Sequence, residues 1–543
     1  MVWRVPKKSV FDPNRRVAQR TTHAAPVGGL NVRDSIAAMP DSDAIVLRNF
    51  FPQQYGCLVR KGYRQHATGF TGTVETVMAW NNQATSIYPY PDSKLFAAVG
   101  GELFDVTTAG DYSAATPLYT TLTNDRWQWT NFANSAGGHL IAFNGRDDAF
   151  LYNSSGAQRL IAGDGTTANT IATVDPQDII HCTVHQRRLW MVKDNSTKAY
   201  YLPQDAIYGV AVLFDFGPFL KAGGYLNALY TWSVDAGVGS NDHLVGISSE
   251  GEIIVFRGTD PSTAATWELV GVYASGSPVG RRCAIPFAGD LLILNEFGLT
   301  SLSSFLTSTK VENAVTDITY TDKIKALVSE LITTTRYIFG WQMLSFPSSN
   351  MLIVNAPKTD GGGFQLAMNT ITRAWGEFDG MEAACWELFH QSPFFGTDGG
   401  VYRAWEGGSD NATSAGSGGT AIQYEAQTNF SHFTKPGVPK IFGFIRPTFT
   451  GTGDPASTSA VNTNYSLNGV SGGTIPITSN DAIWNTTEWG DSAYVWSGGT
   501  KVYQQWQSAG AIGETGSHRL KGQTFAEVLW VSDDWLWTEG VGM

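Results

Sequence analysis

Three sets of side chains carry the types and spacings that chemistry would need. His181, Cys182 and His185 come nearest to a metal cluster. In an extended strand, residues four apart share a face but lie about 13 Å from each other, too far to hold one zinc ion. The one Gly-x-Ser-x-Gly match, Gly469-Val470-Ser471-Gly472-Gly473, falls in a Gly- and Ser-rich passage without the strand-turn-helix that exposes a nucleophile. A Gly-x-x-x-x-Gly-Lys-Ser/Thr phosphate loop does not occur. The third set is Asp147, Asp148, Glu250, Glu252, Glu296 and Asp398, because two carboxylates at the right separation can cleave a glycosidic bond. All six stand in polar, Gly-rich breaks between apolar runs, where acids also serve as turn formers. The sialidase repeat Ser-x-Asp-x-Gly-x-x-Trp is missing. The chain therefore reads as a non-enzyme, with no catalytic residue, metal or cofactor expected.

The elements that would position those acids are hairpins. From Glu75 to Trp405 a short apolar strand, a polar turn and a second apolar strand recur, as in KLFAAVGGELFDV, HLIAFNGRDDAFLY, RLWMVKDNSTKAYYL and HLVGISSEGEIIVF. The series continues with DLLILNEFGLTSL, MLIVNAPKTDGGGFQLAM and PFFGTDGGVYRAW. Their leading residues Leu95, Leu140, Leu189, Leu244, Leu291, Leu352 and Phe394 are spaced by 45, 49, 55, 47, 61 and 42. A four-stranded propeller blade with its loops needs about 40–50 residues, and blades stacked round an axis bury the faces that one alone leaves wet. The expected fold is all-β: a propeller of six or seven blades about a hollow axis, its acids lining the passage. A sandwich of long hairpins is the alternative. AWGEFDG and AACWELF supply outer strands of the repeat.

Composition agrees with many short strands. The 543 residues include 59 Gly, 12% aromatic and only 15% charged residues. A net charge of -12 argues against a surface that grips nucleic acid. Cys57, Cys182, Cys283 and Cys385 are widely spaced, so they read as buried free thiols. MVWRVPKKS has no apolar run behind its charges and no stretch matches a membrane span, so synthesis in a reducing cytoplasm without membrane insertion is expected.

Five parts are expected in all, four of them outside the repeat. Residues 1–24 form a basic arm, in which Arg4, Lys7, Lys8, Arg15, Arg16 and Arg20 against Asp12 give six minus one, or +5. It is either a solvated arm or a contact for an acidic neighbour through Lys7, Lys8, Arg15 and Arg16. Residues 25–74 and 421–543 form a β-rich platform, residues 75–406 the propeller and residues 407–420 a flexible linker. In the first platform part, Asp41 or Ser42 can cap a helix through Ala44, Ile45, Leu47 and Phe51 that stops before Pro52, followed by a strand at Cys57-Leu58-Val59. LRNFF and RLKGQTFAEVLWVSDDW can then pair to join the two ends. Within the repeat, Ile324, Leu327, Val328 and Leu331 recur at helical spacing behind Thr321, which predicts one of few helices, packed between blades or on the platform. Seven tryptophans crowd the last part, from Trp484 and Trp489 through Trp496 and Trp506 to Trp530, Trp535 and Trp537. The chain's eighteen tryptophans exceed the needs of an average core, and they serve packing within blades and at subunit contacts or, where exposed, sugar binding.

The order Gly28-Gly29, an acid-flanked helix ending at Asn49-Phe50-Phe51-Pro52, and a strand closed by Arg60-Lys61-Gly62 resembles the tail nozzle proteins of short-tailed phages, also called tail tubular protein B. The resemblance implies a platform flanking a propeller, a homohexameric ring, a tail adaptor protein and a tail fibre or tailspike as partners, and genomic DNA passing through the channel without specific binding. It also implies residence in the virion tail after synthesis in the host bacterial cytoplasm. Six copies would carry 6 × -12, or -72, and an acidic lumen lets DNA slide. The rival expectation is a carbohydrate-binding or carbohydrate-cleaving propeller.

Overall fold

The computed structural model describes residues 18–81, 92–235, 240–307, 319–413, 418–470 and 499–540. Six of the hairpins read from the sequence form as antiparallel strand pairs, four of them with a further strand on each side and the first and fifth at the edge of their sheets. The second blade is typical: Gln128–Asn134, Gly137–Phe143, Ala149–Asn153 and Gly156–Ala162 pair in sequence order. Residues in the central strands, such as Leu140, Ile141 and Ala142, are buried on both faces, one towards each neighbouring blade. That double burial is why these strands are continuous apolar runs instead of alternating ones.

The seventh hairpin differs. PFFGTDGGVYRAW does not turn back at Asp398-Gly399; it runs through as one strand, Ser392–Ala404, kinked by register shifts at Asp398/Gly400 and Val401/Tyr402. Its first half pairs with Cys385–Phe389 and its second half with residues 63–68, and at Asp398 with Thr73, in the first part of the long strand Tyr63–Trp80. The far half of that same long strand, from Val74, is the inner strand of the first blade. Among the described residues this gives seven blades in a closed ring, with separate apolar cores at successive blade contacts. It also moves the start of the propeller strands back to Tyr63.

The ring is not hollow. Arg282, in the loop leading into the fifth blade, reaches across the axis. It donates to Gln342 Oε1 of the sixth blade (2.9 Å), Thr76 Oγ1 of the first (3.1 Å) and Trp127 O at the second (2.8 Å), and its guanidinium lies 5.0 Å from the Trp129 ring centre. Glu387, on the inner strand of the seventh blade, accepts a hydrogen bond from Trp129. Side chains of the fifth, sixth, seventh, first and second blades therefore meet at Arg282 and Trp129, where an open passage was expected.

A sandwich adjoins the sixth blade and shares its sheet. The outer strand Trp375–Phe378 meets Asp43–Arg48, which pairs with Thr420–Thr428, then Gly516–Thr524 and Ser457–Thr463. The second layer holds Lys440–Gly451, Val528–Glu539, Gly56–Val59 and Phe50–Gln53, with Lys501–Gln504 and Gln507–Gly513 beside Lys440–Gly451. Leu47, Phe50, Tyr424, Phe449, Leu520 and Trp530 fill the space between, in one core with residues of the fifth and sixth blades.

Four expectations change here. Asp43–Arg48 is a strand, not a helix: Ile45 and Val46 favour extended backbone, Asn49 turns the chain at φ 58°, and Asp43 spends its carboxylate on Asn31 (2.7 Å) and Lys323 (2.9 Å) instead of a cap. The arm ends earlier than residue 24, because Gln19–Ala24 pairs along Val528–Glu539. The linker is not loose where it is described: Ser409–Asp410 pairs with Thr420–Ala421, and Asp410 is bound by Arg60. Cys57-Leu58-Val59 is a strand as read, and Leu58 and Cys57 pair with Leu529 and Trp530, so it is this strand and not LRNFF that joins the last one. The helix read behind Thr321 is present at Lys325–Thr335, with Val328 and Ile332 buried between the fifth and sixth blades. A second short helix, Leu302–Thr307, was not foreseen.

Candidate functional site

The residues singled out in the sequence are held apart by the fold. His181 Nδ1 accepts from the Leu229 amide at 3.4 Å, while His185 Nδ1 lies 3.3 Å from Thr231 Oγ1. Burial lowers their imidazoles to about 3 and about 4, so both are neutral packing groups between the third and fourth blades. Asp147 accepts from the Thr123 amide (2.8 Å) and Asn144 Nδ2 (2.6 Å). Asp148 takes Gln177 (2.8 Å), and Glu252 takes the Lys221 and Ala222 amides at 2.9–3.0 Å. Glu250 bonds to Ser249, Glu296 lies in the fifth-blade turn and Asp398 at the kink of the closing strand. Asp147 and Asp148 share the second-blade turn, Glu250 and Glu252 the fourth-blade turn, and Glu296 and Asp398 lie in the fifth and seventh blades, so the six acids are spread over four blades. Lys7, Lys8, Arg15 and Arg16, Ser471, and Trp484, Trp489 and Trp496 lie outside the described residues. Trp530, Trp535 and Trp537 are buried packing residues and Trp506 is exposed. The four cysteines are buried free thiols, pushed up by desolvation.

The site the sequence reading missed is at the mouth of the propeller. A cavity of about 310 Å³ opens where the loops leading into the second, fifth and sixth blades meet hairpin turns of the second and third. Arg126, Arg146, Arg281, Arg282 and Arg336 line it, against the single carboxylate of Asp194. Arg126 pairs with Glu75 just outside (3.1 Å) and lies 4.8 Å from the Phe339 ring centre. Arg146 and Arg281 share Asp194 at 3.1 and 3.5 Å. Arg281 and Arg282 are held below the usual guanidinium range, chiefly by desolvation, and at Arg281 by repulsion from Arg146 and Arg126 as well. Tyr337 stands 92% exposed on the rim beneath the Arg336 guanidinium. Arg126, Arg281 and Arg282 fall in loops that enter an inner strand, so aligning the repeats on their inner strands is the signal that would have found them.

The fold and sites together define a seven-bladed propeller that shares a sheet with a β-sandwich. No protein-family model matches the chain, and no curated protein matches it. Among solved structures it is similar to BBS1N in complex with ARL6DN, at 10% identity over 64% of this chain and 96% of that one, with a TM-score of 0.37. It is similar also to YCF48 bound to D1 peptide, at 10% identity over 68% and 99%, with a TM-score of 0.34. Raptor of Chaetomium thermophilum matches at 9% identity over 64% and 29%, with a TM-score of 0.35. These are distant likenesses, and the architecture rests on the sheet order itself.

Proposed function

We propose that the chain is a structural virion protein, the ring-forming tail nozzle of a short-tailed phage, which extends the DNA channel and offers docking surface for adaptor and fibres. The observation that supports this reading is the ten-stranded sheet running from Gln342–Phe346 in the sixth blade to Ser457–Thr463 in the sandwich. Backbone hydrogen bonds and a common core join the two bodies, so a load on the sandwich reaches the propeller without a flexible joint. That is a property suited to a wall that must hold shape under pressure. Because Arg282 ties the fifth blade to the sixth and first across the ring, the DNA passage of such an assembly lies between six copies and not within one.

The outward face of the second sandwich layer carries exposed Phe444, Val502, Trp506 and Ile512 beside the network in which Arg20 and Arg446 both bind Asp534. In this reading that face, with the arm residues Lys7, Lys8, Arg15 and Arg16, meets neighbouring chains. Light scattering and negative-stain imaging of the purified chain test the proposal, with six-membered rings or tubes expected on their own or with the adaptor. Replacing the four arm residues by Ala is expected to weaken attachment to the tail while the propeller stays folded, and unchanged virion incorporation would remove their role. A monomer that stays single with adaptor present, and that binds or cleaves a polysaccharide, would replace the nozzle by the carbohydrate reading.

A further inference from the structure

The mouth of the propeller is electropositive on a protein whose net charge is -12. Five arginines and one aspartate line the cavity, five minus one, so its formal charge is +4, and the outlying Glu75 lowers it only to +3. Like charges in a partly desolvated recess repel one another and lose hydration, and a fold retains them at a cost. Part of that cost is met internally, since Asp194 is divided between Arg146 and Arg281 and Arg282 is spent on the axial plug. Arg336 has no ion-pair partner among the described residues; it stacks on Tyr337, 5.3 Å from the ring centre. The guanidinium forks of Arg281 and Arg336 therefore border the same recess with donor capacity in excess of local acceptors. A planar fork matches the paired oxygens of a phosphoryl or carboxylate group. The volume, about 310 Å³, is at the lower end of the range for small-ligand sites and suits a body the size of one sugar, which an exposed aromatic ring can stack against.

We infer that this mouth is a binding site for a small ligand that carries an oxyanion, phosphate or carboxylate, on a sugar-sized body. The inference is independent of the nozzle reading, because it concerns a recess inside one chain and needs no assembly.

Calorimetric titration of the full chain at low salt tests it with three probes: inorganic phosphate, glucose 6-phosphate and glucuronate. Each charge-assisted bond to an arginine is worth roughly tenfold or more in affinity, so Arg336→Gln and Arg281→Gln are each expected to weaken binding at least about tenfold. Arg257→Gln, an exposed residue paired with Glu268 on the fourth blade, is expected to leave affinity unchanged. Glucose 6-phosphate and phosphate binding without glucuronate assigns a phosphoryl ligand, and the reverse assigns a carboxylate; either supports the site. If Arg281→Gln fails to fold, the Arg336→Gln variant decides alone, because that side chain has no ion pair to lose. No heat with any probe at millimolar concentration overturns the inference. So does equal weakening by Arg257→Gln and Arg336→Gln, which would mark the binding as nonspecific.

Discussion

Removing Arg60 is expected to unlock the joint between the two bodies. Its guanidinium has five N–H donors, and all five are used. Nε donates to Asn49 Oδ1 (2.9 Å), Nη1 to Lys61 O (3.2 Å) and Asp410 Oδ1 (2.7 Å), and Nη2 to Asp379 O (2.7 Å) and Asp410 Oδ2 (2.5 Å). The side chain is 1% exposed, and that of Asp410 11%. Arg60→Met keeps the stem and deletes the fork. Asn49 Oδ1 retains the Asp379 amide at 2.8 Å, so the chief casualty is the Asp410 carboxylate, left buried and unpaired. Breaking one side of a buried pair costs about 3–5 kcal/mol, whereas removing both partners together costs much less. Urea unfolding followed by tryptophan fluorescence should therefore show a loss of about 3–5 kcal/mol in Arg60→Met and strong non-additivity in Arg60→Met/Asp410→Leu. A single-variant loss under about 1 kcal/mol, or a double variant equal to the sum of the singles, would refute the reasoning.

Glu387 gives a pH signature. Desolvation pushes its carboxyl to about 8 from an ordinary 4.5, with Arg282 opposing the shift. Between those values the folded chain keeps a proton that the unfolded chain releases, so this contribution is full below about pH 4.5 and is lost as pH rises through 8. Wild type should thus fall behind Glu387→Gln in melting temperature from pH 5 to pH 8, and parallel curves would count against a raised carboxyl. Gly62 sits against the Ser409 backbone, where an added Cβ would lie 1.9 Å from the carbonyl oxygen, so Gly62→Ala should cost about 1–3 kcal/mol in urea unfolding. An unchanged midpoint would mean that the two strands part easily.

The blades were legible because an inner-facing apolar run bounded by turn residues has one stable use, and six of seven hairpins follow that rule at the residues read. The seventh misled because Gly399-Gly400 has the composition of a turn while the kinked strand uses its glycines for close approach: a Cβ on Gly400 would lie 3.0 Å from Ala67 O. The strand Asp43–Arg48 misled through its spacing, since Ala44 and Leu47 fit a helix face but are buried in the strand. Neither the axial plug nor the arginine mouth could be read locally. Arg126 and Arg282 come from different repeats, and only ring closure brings each of them to Phe339.

The strand Tyr63–Trp80 has a consequence for how the chain is made. On the ribosome its second half can find Lys94–Val99 at once, and Ala67-Thr68 the short strand Gly110–Asp111, but the antiparallel partner of its first half arrives only with residues 398–404. Through most of synthesis the nascent chain thus carries an open sheet edge, the kind of surface that recruits foreign strands. Ring closure is a late, long-range event that waits for residues 398–404, and slowing elongation lengthens the interval in which that edge stands open to aggregation.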